Sequence, residues 1–148
     1  YNIIEMIKTS ITIISFLSVL LVNAQSEDWS LYADDGGVQV YFKKVQCNPE
    51  MGFDNESIIL KLVNSSGLNR TIEWDRWLWY NGNCKTCDEA DLGDHKTIQL
   101  LPGQQVQGGC SVHSNQDLSL FVRFADTQYK NPNPQVLTKF ELGNLLVR

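Results

Sequence analysis

The sequence predicts an all-β fold, an antiparallel immunoglobulin-like β-sandwich of about seven strands. Three observations lead there. Short apolar runs alternate with polar residues at period two, and no segment shows a sustained 3.6-residue period. Turn residues punctuate those runs about every 8 to 15 positions, the spacing of a sandwich. At 148 residues and 43% hydrophobic content, the chain can build one core and has little room for two.

Taken in order, Trp29-Ser30-Leu31-Tyr32 meets Val38 to Phe42 across Asp34-Asp35-Gly36-Gly37. Acidic residues followed by two glycines are a hairpin signal, because the turn needs positive φ. Val38, Val40 and Phe42 share one face, whereas Val45 and Cys47 have the opposite parity. That switch predicts a bulge near Lys43-Lys44. Ile58, Leu60 and Leu62 form the inward face of the next strand, and Asn64-Ser65-Ser66-Gly67 is a turn. Ile72, Trp74, Leu78 and Tyr80 mark a further strand with Glu73 and Asp75 on its other face; Arg76 falls on the apolar parity.

Thr97 to Leu100 leads into Pro102-Gly103, a tight turn before Val106 to Cys110. Leu118, Leu120, Val122 and Phe124 alternate with polar or outward neighbours. Asn131-Pro132-Asn133-Pro134 breaks the chain, and Leu137 to Val147 is a last strand with Phe140 and Leu142 inward. Residues 29–148 thus read as a single β-sandwich domain.

Residues 6–24 read as a cleavable signal peptide. Met6-Ile7-Lys8 is a short basic start, Ile11 to Val22 is apolar, and Val22-Asn23-Ala24 suits a peptidase. The run falls short of the roughly 20 residues a membrane span needs. The expectation is a periplasmic or secreted protein with no stable membrane span after cleavage. A formal charge of −5 argues against nucleic acid as a partner, since phosphates need a basic footprint.

Export changes how the cysteines read. Cys47, Cys84, Cys87 and Cys110 are an even set, and an oxidising compartment favours two disulfides. Three pairings are open. A long-range bond from Cys47 or Cys110 is preferred over an isolated Cys84–Cys87 loop. If every link reverses the chain, all four cysteines, His95, His113, Trp79, Tyr80 and the acidic loop of Asp88, Glu89, Asp91 and Asp94 gather at one pole.

Other chemistries are weaker. Cys84-x-x-Cys87 with His95 or His113 could form a tetrahedral zinc shell, but a single C-x-x-C lacks a matching pair. Thioredoxin-like redox work needs a low thiol pKa, which the carboxylates following Cys87 oppose. A copper site would want a methionine beside a Cys and two His, and the chain offers only Met51 past the leader. The acidic loop lacks the spacing of a calcium loop. No G-x-S-x-G elbow or phosphate-cradling glycine loop appears. No cofactor is expected, and the chain does not read as an enzyme.

Trp74, Trp77, Trp79 and Tyr80 crowd one strand. Covering on both faces would make it a central strand. Alternatively Trp77, Trp79 and Tyr80 form an aromatic strip that stacks on a ligand such as a sugar ring, or docks a partner strand. Asn55, Asn64 and Asn69 each begin an N-glycosylation sequon.

Two resemblances bear on this reading. Trp29 to Tyr41 resembles the opening of START-type lipid-transfer domains, but these need a long C-terminal helix where residues 131–148 are proline-broken and strand-like. The phrases Ile59 to Ser66, Leu78 to Cys84, Leu100 to Gln104 and Thr138 to Leu142 resemble uncharacterised exported immunoglobulin-like proteins of Bacteroidetes. That resemblance implies a fold and a compartment and carries no catalytic residue. The function expected is a non-catalytic exported domain binding an unknown partner protein or cell-envelope component. The competitor is a metal- or redox-active domain using Cys84, Cys87 and a His.

Overall fold

The computed structural model describes residues 28–48, 50, 54–87, 94–125 and 133–148. The leader reading of 6–24, Met51 and the acidic residues Asp88, Glu89 and Asp91 lie outside them. The described chain forms two packed antiparallel sheets, as the period-two pattern predicts. Its strands are β1 (Ser30–Asp35), β2 (Val38–Cys47), β3 (Asn55–Asn64), β4 (Arg70–Tyr80), β5 (Asn83–Cys84), β6 (His95–Leu100), β7 (Gln105–Gln107), β8 (Ser119–Phe124) and β9 (Leu137–Val147).

Sheet A runs β1-β2-β3, with β7 and β8 both on the far edge of β3. Sheet B is built on β4, with β9 on one edge and β6 and β5 sharing the other. The core lies between them. Val38, Val40, Leu60 and Leu62 from sheet A meet Ile72, Trp74, Leu100 and Leu142 from sheet B. All have the parity expected of inward residues. Tyr32, Phe42 and Phe140 extend the core as a ring cluster, with centroids 5.4 to 6.4 Å apart.

Polar ties hold the sheets in place. The Tyr32 hydroxyl accepts from the Leu142 amide at 2.9 Å. Lys96 on β6 pairs with Asp117, in the short 3-10 turn before β8, at 3.1 Å. Asn64 is fully buried, and its Nδ2 donates to the carbonyls of Leu68, Leu100 and Leu101 while its Oδ1 accepts from Ser66. One amide thus locks the β3–β4 and β6–β7 turns together. A buried polar group is tolerated because every lone pair and proton is used.

Two expectations change. The β2–β3 register runs unbroken from Val38 to Cys47, so no bulge sits at Lys43-Lys44; the irregularity is between Leu31 and Ala33 of β1. The parity switch has another cause. Cys47, Asn55, Ser57 and Ile59 are buried on the outward parity, so this end of sheet A is covered on both faces.

The second change is topological. β7 pairs with Lys61–Val63 and β8 with Asn55–Ile59, both antiparallel to β3. They therefore run the same way, as one edge strand interrupted by residues 108–118. The link between them does not reverse the chain, so β8 and β9 each run opposite to the direction that strict alternation gives. The interruption is a loop with a narrow neck: a Cβ on Gly108 would stand 2.2 Å from the Leu118 carbonyl oxygen. Both ends of the excursion meet there, as in an Ω-loop.

Candidate binding face

The cysteines resolve into two bonds, Cys47–Cys110 and Cys84–Cys87. The first is the long-range bond preferred from sequence, spanning 63 positions with Cα atoms 5.4 Å apart. Cys47 points outward on β2, so the bond carries the 108–118 loop over the outer face of sheet A. The second is the short loop that the sequence reading disfavours. Its reason lies at the edge of β4. β6 covers that edge only as far as Asp75, and β5 begins at Trp79. Between them the Thr86 hydroxyl accepts from the Leu78 amide and donates to the Arg76 carbonyl, and the Lys85 amide donates to the Leu78 carbonyl. The Cys84–Cys87 bond closes the turn that holds Thr86 there. The motif substitutes for a missing stretch of strand.

Height in the sandwich follows from the registers. Cys47 pairs with Asn55 at the start of β3, and Cys84 pairs with Trp79 near the end of β4. The Tyr80 hydroxyl donates to the Phe121 carbonyl at 2.7 Å, and Phe121 lies beside Ser57. Both disulfides therefore sit toward one end, opposite Asn64. His95 does not join them: it pairs with Asp75, halfway along β4. His113 lies in the 108–118 loop and is exposed. The zinc set of Cys84, Cys87, His95 and His113 is thus not assembled, and its two sulfurs are bonded to each other. Among the described residues no group of three or more His, Cys, Asp or Glu could hold a metal ion.

The aromatic strand splits by parity. Trp74 is 1% exposed and belongs to the core. Tyr80 points inward as well; burial pushes its hydroxyl pKa up, and its proton goes to the edge of β8. It acts as an inter-sheet tie. Arg76, the polar intruder on the inward parity, pairs with Asp94 at 3.0 Å. Trp77 and Trp79 have the outward parity and are half-buried.

Their surroundings come from β9 and β6. Trp79 is opposite Lys139, Trp77 opposite Glu141, and Asp75 opposite both Gly143 and His95. An added Cβ on Gly143 would lie 2.3 Å from Cε2 and 2.5 Å from Cδ2 of Trp77. Those atoms are the fused bond of the indole, interior to the ring system, so the ring lies flat over the glycine. Any side chain at 143 would lift it. The Lys139 ammonium stands 4.3 Å from the Trp79 ring centroid and pairs with Glu141 at 2.6 Å.

Asp75 organises the polar half. Its carboxylate takes His95 Nδ1 at 2.7 Å and the Asn144 Nδ2 at 2.7 Å. These hydrogen bonds, Asn144 first, hold its pKa below the ordinary carboxylate value. Asn144 has φ of 51° and sits where the β4–β9 register slips between Glu73 and Asp75. The slip turns the asparagine back toward Asp75. Strand period alone does not disclose Gly143, Asn144 or Lys139 as partners of Trp77, Trp79 and Asp75. The legible hint was a Gly-Asn pair inside a strand, which signals a bulge or a close approach.

The two outer faces differ in chemistry. On sheet A, Trp29 lies beneath Lys43 and Lys61, at 4.5 and 4.3 Å. On sheet B, indoles and paired charges share one face. No family model matches the chain, and no curated protein or solved structure matches it. Of the three sequons, Asn55 and Asn64 are buried and Asn69 is exposed. Among the described residues no helix is long and apolar enough to cross a membrane.

Proposed function

We propose that the chain is an exported, non-catalytic binding domain. It contacts a partner protein or cell-envelope component through the outer face of sheet B around Trp77 and Trp79. The observation that carries this is the Trp77 indole lying flat on Gly143. Two large rings on an outward strand face, one seated on a residue without a side chain, are a platform for contact. Two disulfides and the leader-like residues 6–24 support an oxidising compartment, and the resemblance to exported Bacteroidetes sandwiches agrees with that.

The test is co-sedimentation of purified protein with cell-wall and membrane fractions of the source cells. Loss of sedimentation is expected for the double variant Trp77→Ala/Trp79→Ala and not for Trp29→Ala on the other sheet. Undiminished sedimentation of the double variant would end this reading. The metal- or redox-active alternative needs reduced sulfur. Thiol titration of the unfolded chain is expected to find no free thiol and metal analysis no zinc. Two or four thiols with stoichiometric zinc would reverse the order of the two readings.

A further inference from the structure

We infer that the Trp77/Trp79 face takes a neutral glycan chain, with a sugar ring stacked on the Trp77 indole and hydroxyls met by the Asp75–His95–Asn144 cluster. This rests on the binding reading above and names its ligand class. The edges of β4 exclude one class of partner. β9 occupies one edge, and β6, Thr86 and β5 fill the other. A peptide cannot add to this strand by backbone pairing, so whatever binds the indoles arrives face-on.

The charges on the face point away from an ionic ligand. Lys139 is held by Glu141 and by the Trp79 ring, and Asp75 by His95 and Asn144. An incoming charge would have to break these pairs and would gain little in exchange. A neutral polyhydroxylated ligand keeps them. Its apolar C–H faces suit indole planes, and its hydroxyls both donate and accept. The Trp79 indole stands two residues further along the same strand face, about 7 Å away, where Lys139 covers its ring, so an extended chain stacked on Trp77 would pass beside the Lys139–Glu141 pair. Asp75 is a fixed acceptor, and His95 Nδ1 faces it, so Nε2 is the ring nitrogen turned to meet a ligand hydroxyl. His95 is 48% exposed at its side chain.

The experiment titrates the full chain with maltohexaose, xylohexaose and chitohexaose, and screens it on an array of soluble neutral oligosaccharides, reading tryptophan fluorescence and calorimetric heat. At least one neutral oligosaccharide is expected to bind saturably. Trp77→Ala should weaken that affinity by about tenfold or more. Gly143→Ala should weaken it by roughly fivefold while all four tryptophans remain, because the ring is lifted from its seat. His95→Ala, at an exposed position that leaves folding intact, should weaken it about threefold. Trp29→Ala should leave it unchanged.

Two results overturn the inference. One is the absence of neutral-oligosaccharide binding across the array. The other is binding that survives both Trp77→Ala and Gly143→Ala. If envelope sedimentation still depends on Trp77 and Trp79, is destroyed by protease and is not competed by oligosaccharide, the face binds a protein: the glycan assignment fails and the binding reading stands. If neither sedimentation nor glycan binding depends on the indoles, both fail together.

Discussion

β3 and β4 are the central strands of their sheets, and each has one edge shared by two short strands. Their outer faces nevertheless met different fates. On β3 the outward residues Asn55, Ser57 and Ile59 are buried, with Cys47 beside them bonded to the 108–118 loop. On β4 the outward Trp77 and Trp79 stay half-buried, seated on Gly143 and beneath Lys139. The chain uses a cross-linked loop to bury small and aliphatic residues on one face. On the other it leaves two tryptophans partly exposed. Large apolar side chains normally go inward, because burial stabilises by about 1.5–3 kcal/mol each. The chain forgoes part of that gain at two half-buried tryptophans, and a ligand would recover it.

The comparison breaks hardest where the cross-link does. Replacing Cys47 and Cys110 with alanine frees a loop of 63 positions and should destabilise by about 4 kcal/mol on the loop-entropy scale. Removing Cys84 and Cys87, three positions apart, should cost about 2 kcal/mol. Urea unfolding of the two double variants checks the order; equal costs would mean that the 108–118 loop does not staple sheet A. Between these lies Asn64→Ala. It strands three carbonyls at the opposite end and should cost about 3 kcal/mol, with hydrogen exchange rising at the β3–β4 and β6–β7 turns.

Gly143→Ala sharpens the other side. Its global cost should be small, about 1 kcal/mol, while the tryptophan emission shifts as Trp77 is lifted. An unchanged spectrum would mean that the ring does not rest on the glycine.

The last effect is a pH dependence on sheet A. Hydrogen bonds from Arg123 and then Lys44 hold Glu56 at about 2, against an ordinary 4.5. A carboxylate lowered on folding stabilises above its unfolded pKa, and that contribution drains away as pH falls from about 4.5 toward about 2. Arg123→Ala should flatten the fall in urea midpoint over this window. An equally steep acid limb in the variant would contradict the pairing.

Much of this was legible in sequence because strand period is a local property. The inward sets of β2, β3, β4 and β9, the Gly36-Gly37 hairpin and the Pro102-Gly103 turn all follow from neighbouring residues. What was not legible depended on residues far apart. Cys47 and Val45 change parity relative to Val40, which looks like a bulge until Cys110 is seen to come over the outer face. The two glycines at 108 and 109 mark the neck of a loop, but nothing local says that the chain resumes the same edge in the same direction. His95 follows Cys87 by eight positions in sequence, yet β6 begins only halfway along β4. The Trp77 seat needed the β4–β9 register, which slips at Asn144.

The most direct measurement is hydroxyl-radical footprinting of the protein with and without bound cell-envelope fraction. Trp77, Trp79 and Lys139 are expected to become protected, while Trp29 and Lys61 on the other sheet keep their reactivity. Protection of Trp29 with none at Trp77 or Trp79 would contradict the assignment of the outer face of sheet B as the contact surface.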